Sequence, residues 1–86
     1  MPGSPHRTFV PDAKYQTPEA AARELLRIFR EHTKDGYPYA YTGVTNMEFL
    51  RGGGTVEEYR AGISYGAQQG WFSIEAASRV TVLAKD

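Results

Sequence analysis

A helix that carries glycines four residues apart can pack in few ways. In this chain Gly62, Gly66 and Gly70 fall at that spacing. Thr55 and Glu58, just upstream, have the spacing of a capping box and predict a helix over roughly 56–69, with Gly70 as its C-terminal stop. Each interior glycine costs about 1 kcal/mol relative to alanine, so something must offset the loss. The three glycines form one small-residue ridge, and the expected offset is close approach of another backbone, that of the first helix. The segment is far too polar for the ridge to be a membrane contact. Val56, Tyr59, Ile63, Gly66 and Ala67 lie within about 60° of Ile63 on a helical projection and make the expected buried stripe. Glu57, Glu58, Ala61, Ser64, Tyr65, Gln68 and Gln69 occupy the opposite face.

The first helix is opened by Thr17-Pro18-Glu19: an N-cap, a proline at the first position and an acid at the positive end of the dipole. Ala22, Leu25, Leu26 and Phe29 recur at i, i+3, i+4 and i+7, which predicts an amphipathic helix over 18–33, ended by Asp35-Gly36. Its polar face, with Arg23, Glu24, Arg27, Arg30, Glu31 and Lys34, reads as a solvated surface. Tyr37, Tyr39 and Tyr41 alternate around a short predicted strand at 39–42. Such a row either half-buries against a helix or offers a stacking platform. A second, short helix is predicted from Thr45 and Glu48, again at capping-box spacing, with Met47, Phe49 and Leu50 as its apolar side and Gly52-Gly53-Gly54 as its stop.

After Gly70, two β-rich runs, 71–75 and 79–83, flank Ala76-Ala77-Ser78. A three-residue loop pairs Glu75 with Arg79, Ile74 with Val80, Ser73 with Thr81, Phe72 with Val82 and Trp71 with Leu83, all sensible partners. The loop has neither Asn-Gly nor a lone glycine, which leaves its turn type open. The expected core is Ala22, Leu25, Leu26, Phe29, Phe49, Leu50, Val56, Tyr59, Ile63, Ala67, Phe72, Ile74, Val80 and Val82, with Trp71 sealing an edge.

Three of the five prolines fall at positions 2, 5 and 11, so residues 1–16 read as a flexible N-terminal arm, in which only Thr8-Phe9-Val10 is sticky enough to dock on the body. Residues 17–86 make one domain. The absence of cysteine excludes a disulfide framework and thiolate metal sites. No apolar run reaches the roughly 18 residues of a membrane span, and no apolar segment of a secretory signal follows Met1, so a cytoplasmic location is expected.

The order of elements, from Thr17 to Leu83, resembles the winged helix-turn-helix superfamily. Met47-Glu48-Phe49-Leu50-Arg51-Gly52 looks like the helix before the turn, Val56 to Gln69 like the recognition helix, and Gly70-Trp71-Phe72 like the junction into the wing. The resemblance implies an α+β fold: a three-helix winged helix-turn-helix with a short strand and a C-terminal β-hairpin wing. It also implies double-stranded DNA as the partner, with the third helix in the major groove. The chain departs from the pattern in its triple-glycine turn and in a wing tip without Lys or Arg.

On that reading Ser64, Tyr65 and Gln68 meet base edges, while Arg51, Arg60 and Arg79 sit on phosphates. Arg51 and the helix N-terminus at Thr55 form a further place for a phosphate. Charge works against this partner. The whole chain has ten Lys+Arg against ten Asp+Glu, and residues 46–70 set Glu48, Glu57 and Glu58 against Arg51 and Arg60, whereas phosphate neutralisation supplies much of the affinity for DNA. The alternative is a protein-protein interaction module of a larger assembly, its partner docked on the third-helix face. Zero net charge and a Ser, Tyr and Gln surface suit that reading. A homodimer through the first helix or the arm fits either. No enzyme is expected, and no cofactor or metal. His6 and His32 share a ligand spacing with no second histidine or carboxylate. Gly52-Gly53-Gly54-Thr55 lacks a phosphate-loop lysine, and no serine has the context of a nucleophile.

Overall fold

In the computed structural model, which describes residues 14–84, the first helix α1 is Pro18–Thr33. It is followed by strand β1 (Ala40–Tyr41), helices α2 (Thr42–Arg51) and α3 (Val56–Gln68), and strands β2 (Phe72–Glu75) and β3 (Arg79–Val82). The three strands form one antiparallel sheet in the order β1-β3-β2. The α+β architecture expected from the sequence is therefore present, with the short strand completing the sheet beside the C-terminal hairpin. The arm residues 1–13, with His6 and Thr8-Phe9-Val10, lie outside the described residues.

Local chemistry accounts for α1 and α3. Thr17 caps α1 by accepting the Ala20 N–H at 3.0 Å, with Pro18 in the first turn. α1 then buries Ala21, Ala22, Leu25, Leu26, Ile28 and Phe29, and it touches α2, α3, β1 and β3. Around it the core is closed by Ala40, Phe49, Phe72 and Val80. Phe29 meets Phe72 edge to face at 4.9 Å, a favoured aromatic geometry. The hairpin has the expected register, from Phe72 opposite Val82 to Glu75 opposite Arg79. Beyond it the Trp71 carbonyl accepts from both Leu83 N (2.9 Å) and Ala84 N (3.0 Å), which ends the ladder.

The glycine ridge has two different neighbours. A Cβ on Gly62 would lie 2.9 Å from the carbonyl carbon and the Cβ of Ala21, so here α1 does approach as a backbone. At Gly66 the neighbour is a side chain: the outer carbons of the Phe72 ring fall within 2.9 Å of a Cβ built there. Gly70, at φ +76, closes the helix.

Three expectations are corrected. α2 starts three residues before Thr45. Thr45 is buried inside the helix, and its hydroxyl donates back to the carbonyls of Tyr41 (2.9 Å) and Thr42 (3.3 Å) instead of capping. The start of α2 is set by the pairing of Ala40 and Tyr41 with β3, a long-range contact. Second, α3 is rotated about its axis so that Glu58, Gly62 and Gly66 face inward, leaving Val56 and Ala67 exposed. Ile74 is exposed as well: it lies on the edge strand β2, whereas its partner Val80 on the central strand β3 is buried. The turn type, which the sequence left open, follows from the backbone: Ala77 and Ser78 both have left-handed backbones (φ 63 and 61), and the Arg79 N–H bonds back to the Ala76 carbonyl. Those are the requirements of a type I′ turn, met here without asparagine or glycine. Third, Lys14 and Tyr15, assigned to the arm on sequence, contact the body: Tyr15 packs against the core cluster, and Lys14 Nζ reaches the Gly52 carbonyl.

Candidate nucleic-acid interface

The start of α3 organises the whole surface. The Thr55 hydroxyl accepts the Glu58 N–H at 3.1 Å, and the Glu58 carboxylate accepts the Thr55 N–H at 2.8 Å. This reciprocal cap satisfies two backbone donors that a helix start leaves open. The second Glu58 oxygen accepts the Tyr15 N–H at 3.2 Å. Glu58 is consequently fully buried, a carboxylate held by backbone N–H groups at the positive end of a helix. The Tyr15 ring stacks on Phe49 at 5.0 Å, and Lys14 Nζ donates to the Gly52 carbonyl at 3.0 Å. Burial, and next the nearby Glu24 carboxylate, raise the Tyr15 phenol above its ordinary pKa.

Arg60, Ser64 and Gln68 follow one another at four-residue intervals on the exposed side of α3, and Gln68 Nε2 donates to Ser64 Oγ at 3.3 Å. Arg60, and Arg51 at the end of α2, are exposed and make no ion pair or hydrogen bond among the described residues. Tyr65 is turned to the flank, its ring edge-on to Trp71 at 5.6 Å, and the Arg23 guanidinium lies 5.2 Å from the Trp71 ring centre. Pro18, Ala61, Ser64, Tyr65 and Gln68 line a shallow groove of about 280 Å³ along this flank.

Arg79 stands at the turn end of the hairpin. Its guanidinium lies over the Tyr39 ring at 4.7 Å, and its Nε donates to the Ala76 carbonyl at 3.2 Å. Thr55 differs from the other six candidates, because its hydroxyl and N–H are both consumed by the cap and Glu58 occupies the end of the helix dipole. Sequence reasoning missed this burial, although the signal was available: Glu58 lies four residues before Gly62, on the same ridge as the glycines.

The consequence is electrostatic. With Glu58 turned inward, the solvent-facing charges from Arg51 to Gln68 are Arg51 and Arg60 against Glu57 alone. The nearest further carboxylate, Glu48, is held 3.0 Å from His32 Nε2. A larger depression of about 350 Å³ on the outer side of α1 is ringed by Arg23, Arg27, Arg30 and Lys34 around Leu26. Three of those cations are already paired, with Glu19, Glu24 and Glu31, so its chemistry is largely internal. Among the described residues no three His, Cys, Asp or Glu side chains gather as a metal site, and no helix is long and apolar enough to cross a membrane.

No protein-family model matches the chain, and neither a curated protein nor a solved structure matches it.

Proposed function

We propose that the chain is a small, non-enzymatic winged-helix protein that binds double-stranded DNA, with α3 in the major groove and the hairpin as its wing. One observation carries this reading: Glu58 is buried in the cap of α3, while Arg51 and Arg60 stand exposed without partners among the described residues. One of the two carboxylates that the sequence sets at the start of the reading helix is thereby withdrawn, and Glu57 remains. Ser64 and Gln68 present a hydroxyl and an amide from the exposed side of the helix, groups that can read base edges. Arg51, Arg60 and Arg79 neutralise phosphates.

Three phosphate contacts set the expected salt dependence. A slope of about −2.7 in log K against log salt corresponds to about 40-fold weaker binding at 200 than at 50 mM salt. The test is a series of amide NMR spectra of the labelled protein as mixed-sequence duplex is added at both salts. The expected result is shifts along Arg60 to Gln68 and at Ala77 to Arg79 that fade with salt. An absence of shifts at the lower salt would remove DNA as the partner. The interaction-module reading, which is supported by zero net charge, would then direct the search to a protein on the same face of α3.

A further inference from the structure

The surface helix of a small domain normally turns polar side chains outward. α2 departs from that rule. Thr45 and Phe49 are buried on its inner side, while Val44 and Met47, and Tyr41 at its N-cap, are 53%, 57% and 49% exposed. The three recur at i, i+3 and i+6, so they form one exposed apolar row, and Arg51, which has no ion pair among the described residues, ends it as a cation. The carboxylate beside the row, Glu48, is engaged by His32 of α1.

A two-fold contact requires a patch that complements itself, and this row does. Two copies of α2 laid antiparallel, with Val44 over Met47 of the other copy, bring Tyr41 opposite position 50. That is one residue, about 1.5 Å of rise, from Arg51. Apolar side chains then meet in the middle, and at each end a tyrosine ring meets a guanidinium, an attractive pair. The antiparallel arrangement also opposes the two helix dipoles. Tyr41, Val44 and Met47 themselves offer a polyanion no cation, so nucleic acid is a poor occupant of the row. Zero net charge leaves no long-range repulsion between two copies.

We propose that α2 is a homodimerisation surface, two copies associating antiparallel about an axis between Val44 and Met47. The contact is smaller than the roughly 800 Å² per partner of standard interfaces, so the dimer is reversible and dependent on concentration. It uses none of Arg60, Ser64, Gln68 and Arg79, and it would double the number of those groups offered to a two-fold DNA site.

The experiment is sedimentation velocity on the full chain without DNA, across low to high micromolar protein, so that its outcome is independent of the DNA reading. The wild type is expected to move from monomer to dimer as concentration rises. Met47→Glu and Val44→Lys are each expected to sediment as monomers, with unchanged circular dichroism because both positions are exposed. Mixed one to one, the two variants are expected to recover a dimer, since Lys and Glu then face each other. A wild type that stays monomeric throughout would overturn the proposal. So would dimerisation that survives both single substitutions, or a mixture that remains monomeric.

Discussion

Gly66→Ala separates two opposed effects at one position. In an unconstrained helix the change is favourable, by about 1 kcal/mol of helix propensity. Here the new Cβ would intrude on the Phe72 ring, whose outer carbons lie within 2.9 Å. The ring has little room to retreat: it is buried and meets Phe29 edge to face at 4.9 Å. Overpacking of this kind costs about 1–3 kcal/mol, and a ring wedged between two neighbours belongs at the upper end. The net expectation is a loss of about 2 kcal/mol, which for a domain of this size lowers Tm by about 8–16 °C. Urea and thermal unfolding followed by circular dichroism measure it. Phe72→Leu removes the offending carbons, so in that background the same glycine change becomes neutral or stabilising, and the coupling between the two positions approaches 3 kcal/mol, roughly the whole steric cost. A Gly66→Ala protein at least as stable as the wild type would refute the steric account. So would an equal loss with and without the Phe72 ring.

Three other outcomes are expected. Replacing Ala77-Ser78 by Asn-Gly relieves two left-handed residues, each costing about 1–2 kcal/mol. A gain of about 1–2 kcal/mol in urea titration is expected after allowing for glycine entropy, and no gain would count against the I′ description. Burial raises the Tyr59 phenol above its ordinary 10.0, with the Thr45 hydroxyl acting in the opposite direction. The folded state therefore holds that proton more tightly than the unfolded chain, so the contribution is intact below about pH 10 and is lost as pH rises past it. Tyr59→Phe should flatten the alkaline fall in stability, leaving the part due to Tyr15, and identical wild-type and mutant profiles would exclude the effect. Arg60→Ala should weaken binding to every duplex and reduce the salt slope to about −1.8, whereas Gln68→Ala should alter sequence preference at nearly constant slope. Equal DNA affinity in both variants would sink those assignments.

Elements governed by neighbouring residues were legible in the sequence. The limits of α1 follow from Thr17-Pro18 and the apolar period, and the hairpin register follows from the pairing chemistry of its two runs. The α3 cap was readable because Thr55 and Glu58 carry it themselves. α2 was not, since its start depends on Tyr41 pairing with Arg79, thirty-eight positions away in sequence. Thr45 with Glu48 imitates a cap while serving other contacts: one hydroxyl turned back along its own helix and one carboxylate reaching His32. The rotation of α3 was misjudged by hydrophobicity, which favoured Val56 and Ala67 over a glutamate. Close approach at Gly62 decided the orientation instead, and the N–H groups around Glu58 made its burial tolerable. Of the candidate contact residues, Arg60, Ser64 and Gln68 share a row simply because four-residue spacing puts them there. Arg79 and Tyr39 meet through the sheet, which spacing along the chain does not reveal.

The bond from the Tyr15 N–H to Glu58 spans forty-three positions and joins the stretch ahead of α1 to the first turn of α3. With Lys14 on the Gly52 carbonyl and the Tyr15 ring on Phe49, it acts as a strap across the corner between α2 and α3. Cutting the chain at Thr17, where the helix signals begin, would strip a donor from an enclosed carboxylate, a loss of about 1–3 kcal/mol for a buried group left short of a partner. It would also uncover Phe49. A piece that keeps α3 correctly seated therefore has to include Lys14 and Tyr15.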